Sequence, residues 1–109
     1  MAYDELLAAR VRRALGERTD VTEKRMFGGL TFMLAGNMCC GVNHDDLILR
    51  LDAKTDAADL EVPHARAWDF MRRPMKGMFA VEPQGCASQP AVDHWVEMAV
   101  KHALTLPRK

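Results

Sequence analysis

Between residues 30 and 51 the chain alternates apolar residues with others in short runs, each closed by turn-forming residues. That period of two restricts the segment to antiparallel strands, because successive side chains on a strand point to opposite faces. Leu30, Phe32 and Leu34 share one face, with Thr31, Met33 and Ala35 on the other. Gly36-Asn37 is a two-residue hairpin signal. The third strand sets Met38, Cys40 and Val42 against Cys39, Gly41 and Asn43, and Asn43-His44-Asp45 makes a further turn. Leu47, Leu49 and Leu51 then point one way, and Ile48, Arg50 and Asp52 the other. Upstream, residues 21–27 are mixed and polar, as suits an edge strand. Gly28-Gly29 supplies the positive φ angles of a tight hairpin. The expectation is a four-strand meander.

Helices flank it. Tyr3, Leu6, Leu7, Val11, Ala14 and Leu15 fall on one helical face, opposite Arg10, Arg12 and Arg13. Asp4 and Glu5 lie in the first turn and Gly16 is a stop signal. A second helix is expected over residues 89–106, capped by Ser88 and ended by Pro107, with Pro90 in its first turn. Its buried stripe is Val92, Trp95, Val96, Ala99, Ala103 and Leu106, while Glu97 and Lys101 form an exposed i, i+4 pair. Between meander and helix, residues 55–60 read as a short helical turn and residues 62–70 as irregular, anchored by Trp68 and Phe70. Pro74 leads into a fifth strand over residues 75–82. The order helix, four-strand meander, irregular segment, strand, helix predicts an α+β domain with an antiparallel sheet of about five strands.

A chain of 109 residues with 49% hydrophobic residues is one domain that needs neither metal nor disulfides to form its core. No apolar run reaches membrane-spanning length, and no secretory signal opens the chain. Three cysteines make no disulfide framework, so a cytoplasmic, reduced protein is expected. The 15 basic and 15 acidic residues cancel, which disfavours direct nucleic-acid binding through bulk charge. A basic cluster, Arg66, Arg72, Arg73 and Lys76, is the one candidate contact patch for phosphate, with Trp68 and Phe70 interleaved.

Enzymatic signatures are missing from the sequence. No serine–histidine–acid trio stands out, and Gly28-Gly29 lacks the lysine and hydroxyl residue of a phosphate loop. Cys39 and Cys40, on opposite faces of a strand, would not chelate one metal, and no cofactor is expected. Cys39 and Cys86 are the candidate redox-sensitive surface thiols. Eight methionines, with Met26, Met33, Met38, Met75 and Met78 in strands, suit either core filling or an adaptable binding face on an open sheet.

Two strings are distinctive: Arg25-Met26-Phe27-Gly28-Gly29, and Arg73-Pro74-Met75-Lys76-Gly77 preceded by Arg72. On these the chain resembles the TfoX N-terminal domain family of small bacterial proteins, over nearly its whole length. The resemblance implies a sheet-and-helix fold like that of bacterial secretion chaperones. It implies a non-enzymatic regulator of competence and transcription that works through protein partners. Family members with that role act as co-activators beside the cyclic-AMP receptor protein and carry a C-terminal helical domain, which this chain is expected to lack. The alternative expectation is a chaperone-like or adaptor module without a transcription role, and a homodimer is compatible with either.

Overall fold

The computed structural model describes residues 3–26, 28–54, 64–70 and 73–107, with the backbone alone at 69, 70 and 73–76. Helix α1 (Glu5–Leu15) precedes strands β1 (Val21–Met26), β2 (Gly29–Leu34), β3 (Asn37–Asn43) and β4 (Asp46–Arg50). After them come β5 (Ala65–Phe70), β6 (Arg73–Val81), a 3-10 turn (Pro83–Gly85) and α2 (Gln89–Ala103). The six strands form one sheet in the order β1-β2-β3-β4-β6-β5, every pairing antiparallel. The fold is therefore α+β, as expected, with six strands in place of about five. The additional strand is β5, in the segment expected to be irregular. The expected turn over residues 55–60 lies outside the described residues.

The meander follows from its turns. Met26 pairs with Gly29 across a loop in which Gly28 takes φ +76°, a conformation that side chains resist. Leu34 pairs with Asn37, so the second loop is Ala35-Gly36, with φ of +52° and +86°, one residue earlier than expected. Asn37 instead opens β3, buried, and its Nδ2 donates to the Pro107 carbonyl at 2.9 Å. His44, at φ +52°, turns the chain between Asn43 and Asp46.

Both helices lie on one face of the sheet. Leu7, Val11 and Leu15 of α1 join Val92, Trp95, Val96 and Ala99 of α2 over Leu30, Phe32, Leu34, Val42, Leu47, Leu49, Phe79 and Val81. Asp4 caps α1 by accepting from the Leu6 and Leu7 amides at 2.9 and 3.2 Å. Leu6, expected on the buried stripe, is 60% exposed, and Ala8 takes the inward position. Ser88 caps α2 as expected, while α2 stops at Ala103, short of Leu106. The Trp95 indole donates to the Gly85 carbonyl at 3.0 Å, and Gln89 Nε2 donates to the Arg10 carbonyl at 2.8 Å, tying the helices together.

Edge strand β1 is guarded by Glu23, Lys24 and Arg25, all exposed. Glu23 also anchors α1: Arg12 donates Nε and Nη2 to its two carboxylate oxygens, each at 2.9 Å. Those hydrogen bonds hold the Glu23 carboxyl below its usual range. Both side chains are more than one-third exposed, so water screens the pair and it contributes at most about 1 kcal/mol. A folded-state pKa below the unfolded value gives stability that is complete above the unfolded value and lost as pH falls through the folded one. Glu23→Gln should therefore cost up to about 1 kcal/mol in urea unfolding at pH 7, with the cost vanishing at a pH acidic enough to protonate Glu23 in the folded protein. A cost unchanged by acid would show that Glu23 acts through packing and not through its charge.

Candidate partner-binding face

Register fixes what the opposite sheet face displays. Positions that alternate with the core bring Lys24 and Met26 of β1 beside Gly29, Thr31 and Met33 of β2. Next to these come Met38, Gly41 and Asn43 of β3, then Asp46, Ile48 and Arg50 of β4. Met78 and Ala80 of β6 and Arg66 of β5 complete the row. Among the described residues no helix packs on this face. Its centre is nevertheless apolar: Ile48, Trp68, Met78 and Ala80 form a second cluster, with Met38 packed against it.

Two β-bulges build this centre. The β2–β3 register shifts so that Phe32 faces Cys40 while Met33 faces Met38, leaving Cys39 as the additional residue. The shift overturns the expected alternation, because Met38 now lies with Ile48 whereas Cys40 and Val42 remain under the helices. On β5 the register shifts between Ala67 and Asp69, at Trp68, which packs with Ile48. Trp68 thus anchors to the open face and not to the main core.

Beside Trp68 lies a small hollow of about 10 Å³, room for a single water, lined by Met26, Thr31, Met38, Gly41 and Ile48, among others. It exists because the strands carry little here. A Cβ on Gly41 would stand 2.7 Å from the Leu30 carbonyl, and one on Gly29 would collide with the Val42 carbonyl. Charge surrounds the hollow. Lys24 and Arg50 share the face, and Arg66 Nη2 meets Asp46 Oδ2 at 3.0 Å. Burial raises the Asp46 carboxyl above its usual range despite the neighbouring Arg66.

The residues singled out from sequence are distributed unevenly. Of the first string, Arg25 is exposed on β1 at a helix-side position, Met26 lines the hollow, and Gly28 and Gly29 serve the hairpin and the close β2–β3 approach. Phe27 lies outside the described residues. Of the second string, Arg73, Pro74, Met75 and Lys76 lie in β6, and nothing of their side chains is described. Gly77 takes φ +77° and its carbonyl accepts the Leu51 amide at 2.7 Å, so its role in the backbone is defined. Of the basic cluster, Arg66 is placed, engaged with Asp46, and Arg72 lies outside the described residues.

The thiols differ from expectation. Cys39 and Cys86, expected at the surface, are 1% and 2% exposed. Cys86 sits with its thiol directed at the Val81 and Glu82 carbonyls, and burial pushes its pKa up to about 11. Cys39 and Cys40, expected on opposite faces, belong to the same core cluster because the bulge turns Cys39 inward. Among the described residues no three histidine, cysteine or carboxylate side chains gather as a metal site. No helix among them is long and apolar enough to cross a membrane.

An open antiparallel sheet, backed by two helices on one face and bearing an apolar, cation-flanked hollow on the other, defines a small helix-backed α+β domain. The chain belongs to the TfoX N-terminal domain family, whose model matches residues 13–103, from within α1 to the end of α2. No curated protein and no solved structure matches it.

Because Gly41 is pressed against backbone, Gly41→Ala should destabilise the protein by about 1–3 kcal/mol in urea unfolding. A neutral substitution would show that β2 and β3 have room to separate, and that the hollow is not fixed by the glycine.

Proposed function

We propose that this protein is a non-enzymatic regulatory module of the TfoX type that acts in transcription through a protein partner held on the open sheet face. The observation that carries the reading is the set of partly exposed methionines, Met26, Met33 and Met38, on the side of the sheet that no described helix covers. Methionines adapt to irregular apolar partners. Lys24, Arg50 and Arg66 favour a partner segment with acidic residues around an apolar anchor. Family membership supports the regulatory part of the reading. The formal net charge of zero supports a protein partner over direct contact with nucleic acid.

The test is site-specific photocrosslinking in the cytosol of cells making the full chain. A benzophenone side chain at position 38 should capture a partner in a nuclease-resistant manner, while the same group at position 97 on α2 should not. A captured polymerase subunit or DNA-bound regulator supports the transcription role. A captured protein with no link to transcription supports the adaptor role instead. Capture from position 97 alone would contradict the use of the sheet face.

A further inference from the structure

Helix α2 carries a second stripe beside the one it buries. Asp93, Glu97, Val100 and Leu104 follow one another at spacings of four, three and four, which sets them in one row along the helix. The row borders a groove of about 400 Å³ between the end of α1 and α2. Ala14, Val96 and Val100 give the groove an apolar floor, and Arg18 and Lys101 join Asp93 and Glu97 along its sides. Leu104 stands at the C-terminal end of the row with 57% of its surface exposed. Among the described residues only Leu6 is a large apolar side chain as open.

Charge is ordered along this row. Its N-terminal half is acidic, with Asp93 and Glu97, and its C-terminal half is basic and apolar, with Lys101 and Leu104. Such an order is its own complement once a copy is turned end for end. A two-fold axis lays α2 antiparallel to the α2 of an identical chain and brings unlike halves together. With that axis near residue 99, Glu97 of each copy comes level with Lys101 of the other. Leu104 of each then comes level with the space between Asp93 and Glu97 of the other, beside Val96 on the groove floor. Within one chain Glu97 and Lys101 stand 3.7 Å apart with side chains 70% and 77% exposed, so both are open to a second copy.

We propose that the groove between α1 and α2 is a homodimer surface, occupied by α2 of a second copy packed antiparallel about a two-fold axis. A foreign segment of one charge would satisfy half of the row and oppose the other half, whereas this chain satisfies both. The groove lies on the helix side of the sheet. The dimer therefore leaves the open sheet face of each copy uncovered, and the inference stands apart from the use proposed for that face. A benzophenone at position 97 accordingly joins two copies of this chain and no foreign protein.

The test is sedimentation equilibrium of the purified full chain in about 0.15 M salt. The average mass should rise with concentration from 12.2 kDa toward twice that value, within about 1 µM to 1 mM protein. Glu97→Lys and Lys101→Glu should each weaken the dimer by about tenfold or more, because each change sets like charges together twice. Both positions are exposed, so the far-UV circular dichroism of either variant should match that of the unaltered chain. An equimolar mixture of the two variants should recover the dimer, since one copy then presents two positive groups and the other two negative ones. Leu104→Ala should weaken the dimer by about tenfold. A chain that stays monomeric over the whole range would assign the groove to a foreign partner or a small ligand and overturn the proposal. A dimer indifferent to both charge reversals, or a mixture that does not recover it, overturns it as well.

Discussion

The burial of one sheet face beneath two amphipathic helices is the interaction on which the rest of this molecule depends. Leu30, Phe32, Leu34, Leu47, Leu49 and Phe79 present a continuous apolar surface that the stripes of α1 and α2 cover. Each such side chain contributes about 1.5–3 kcal/mol on full burial, far more than the exposed Arg12–Glu23 pair. Asymmetry follows. With both helices committed to one side, the other side must limit its own exposure, and it does so with glycine, threonine and alanine at the centre and a tryptophan laid over the isoleucine.

Bulges connect the two faces. An additional residue in β3 changes which side chains meet the helices and which meet the open face. It sends Met38 to the hollow and brings Cys39 in beside Cys40. The same local irregularity therefore shapes both the candidate partner surface and the burial of the two adjacent cysteines. Neither would exist in a strand of strict alternation.

Much of the fold was legible because its signals are local. Ser88, Pro90 and the spacing of Val92, Trp95, Val96 and Ala99 specify α2, and the turn residues near 28, 36 and 44 divide the meander. The phases of Leu30–Phe32–Leu34 and Leu47–Leu49–Leu51 follow from alternation alone. Strand β5 was not legible, since Ala65, Arg66 and Ala67 have low strand propensity and are recruited by pairing with β6. The bulges were invisible for a related reason: a one-residue shift is set by the neighbouring strand and leaves no mark of its own in the sequence. Of the site, a methionine-bearing open face could be anticipated, but Trp68 and Ile48 could be joined to it only once the order β4-β6-β5 was known.

The central claim is that the sheet face opposite the helices is where this protein meets its partner. Hydroxyl-radical footprinting measures it most directly, comparing purified protein with protein in its own cell extract. Met26, Met33 and Met38 lie on that face, and Met98 lies on α2 as an internal control. All four are partly buried and open to oxidation. The account predicts that oxidation of Met26, Met33 and Met38 falls in the extract while that of Met98 does not change. Protection of Met98 with the three sheet methionines unaffected would contradict it and move the interface to the helices.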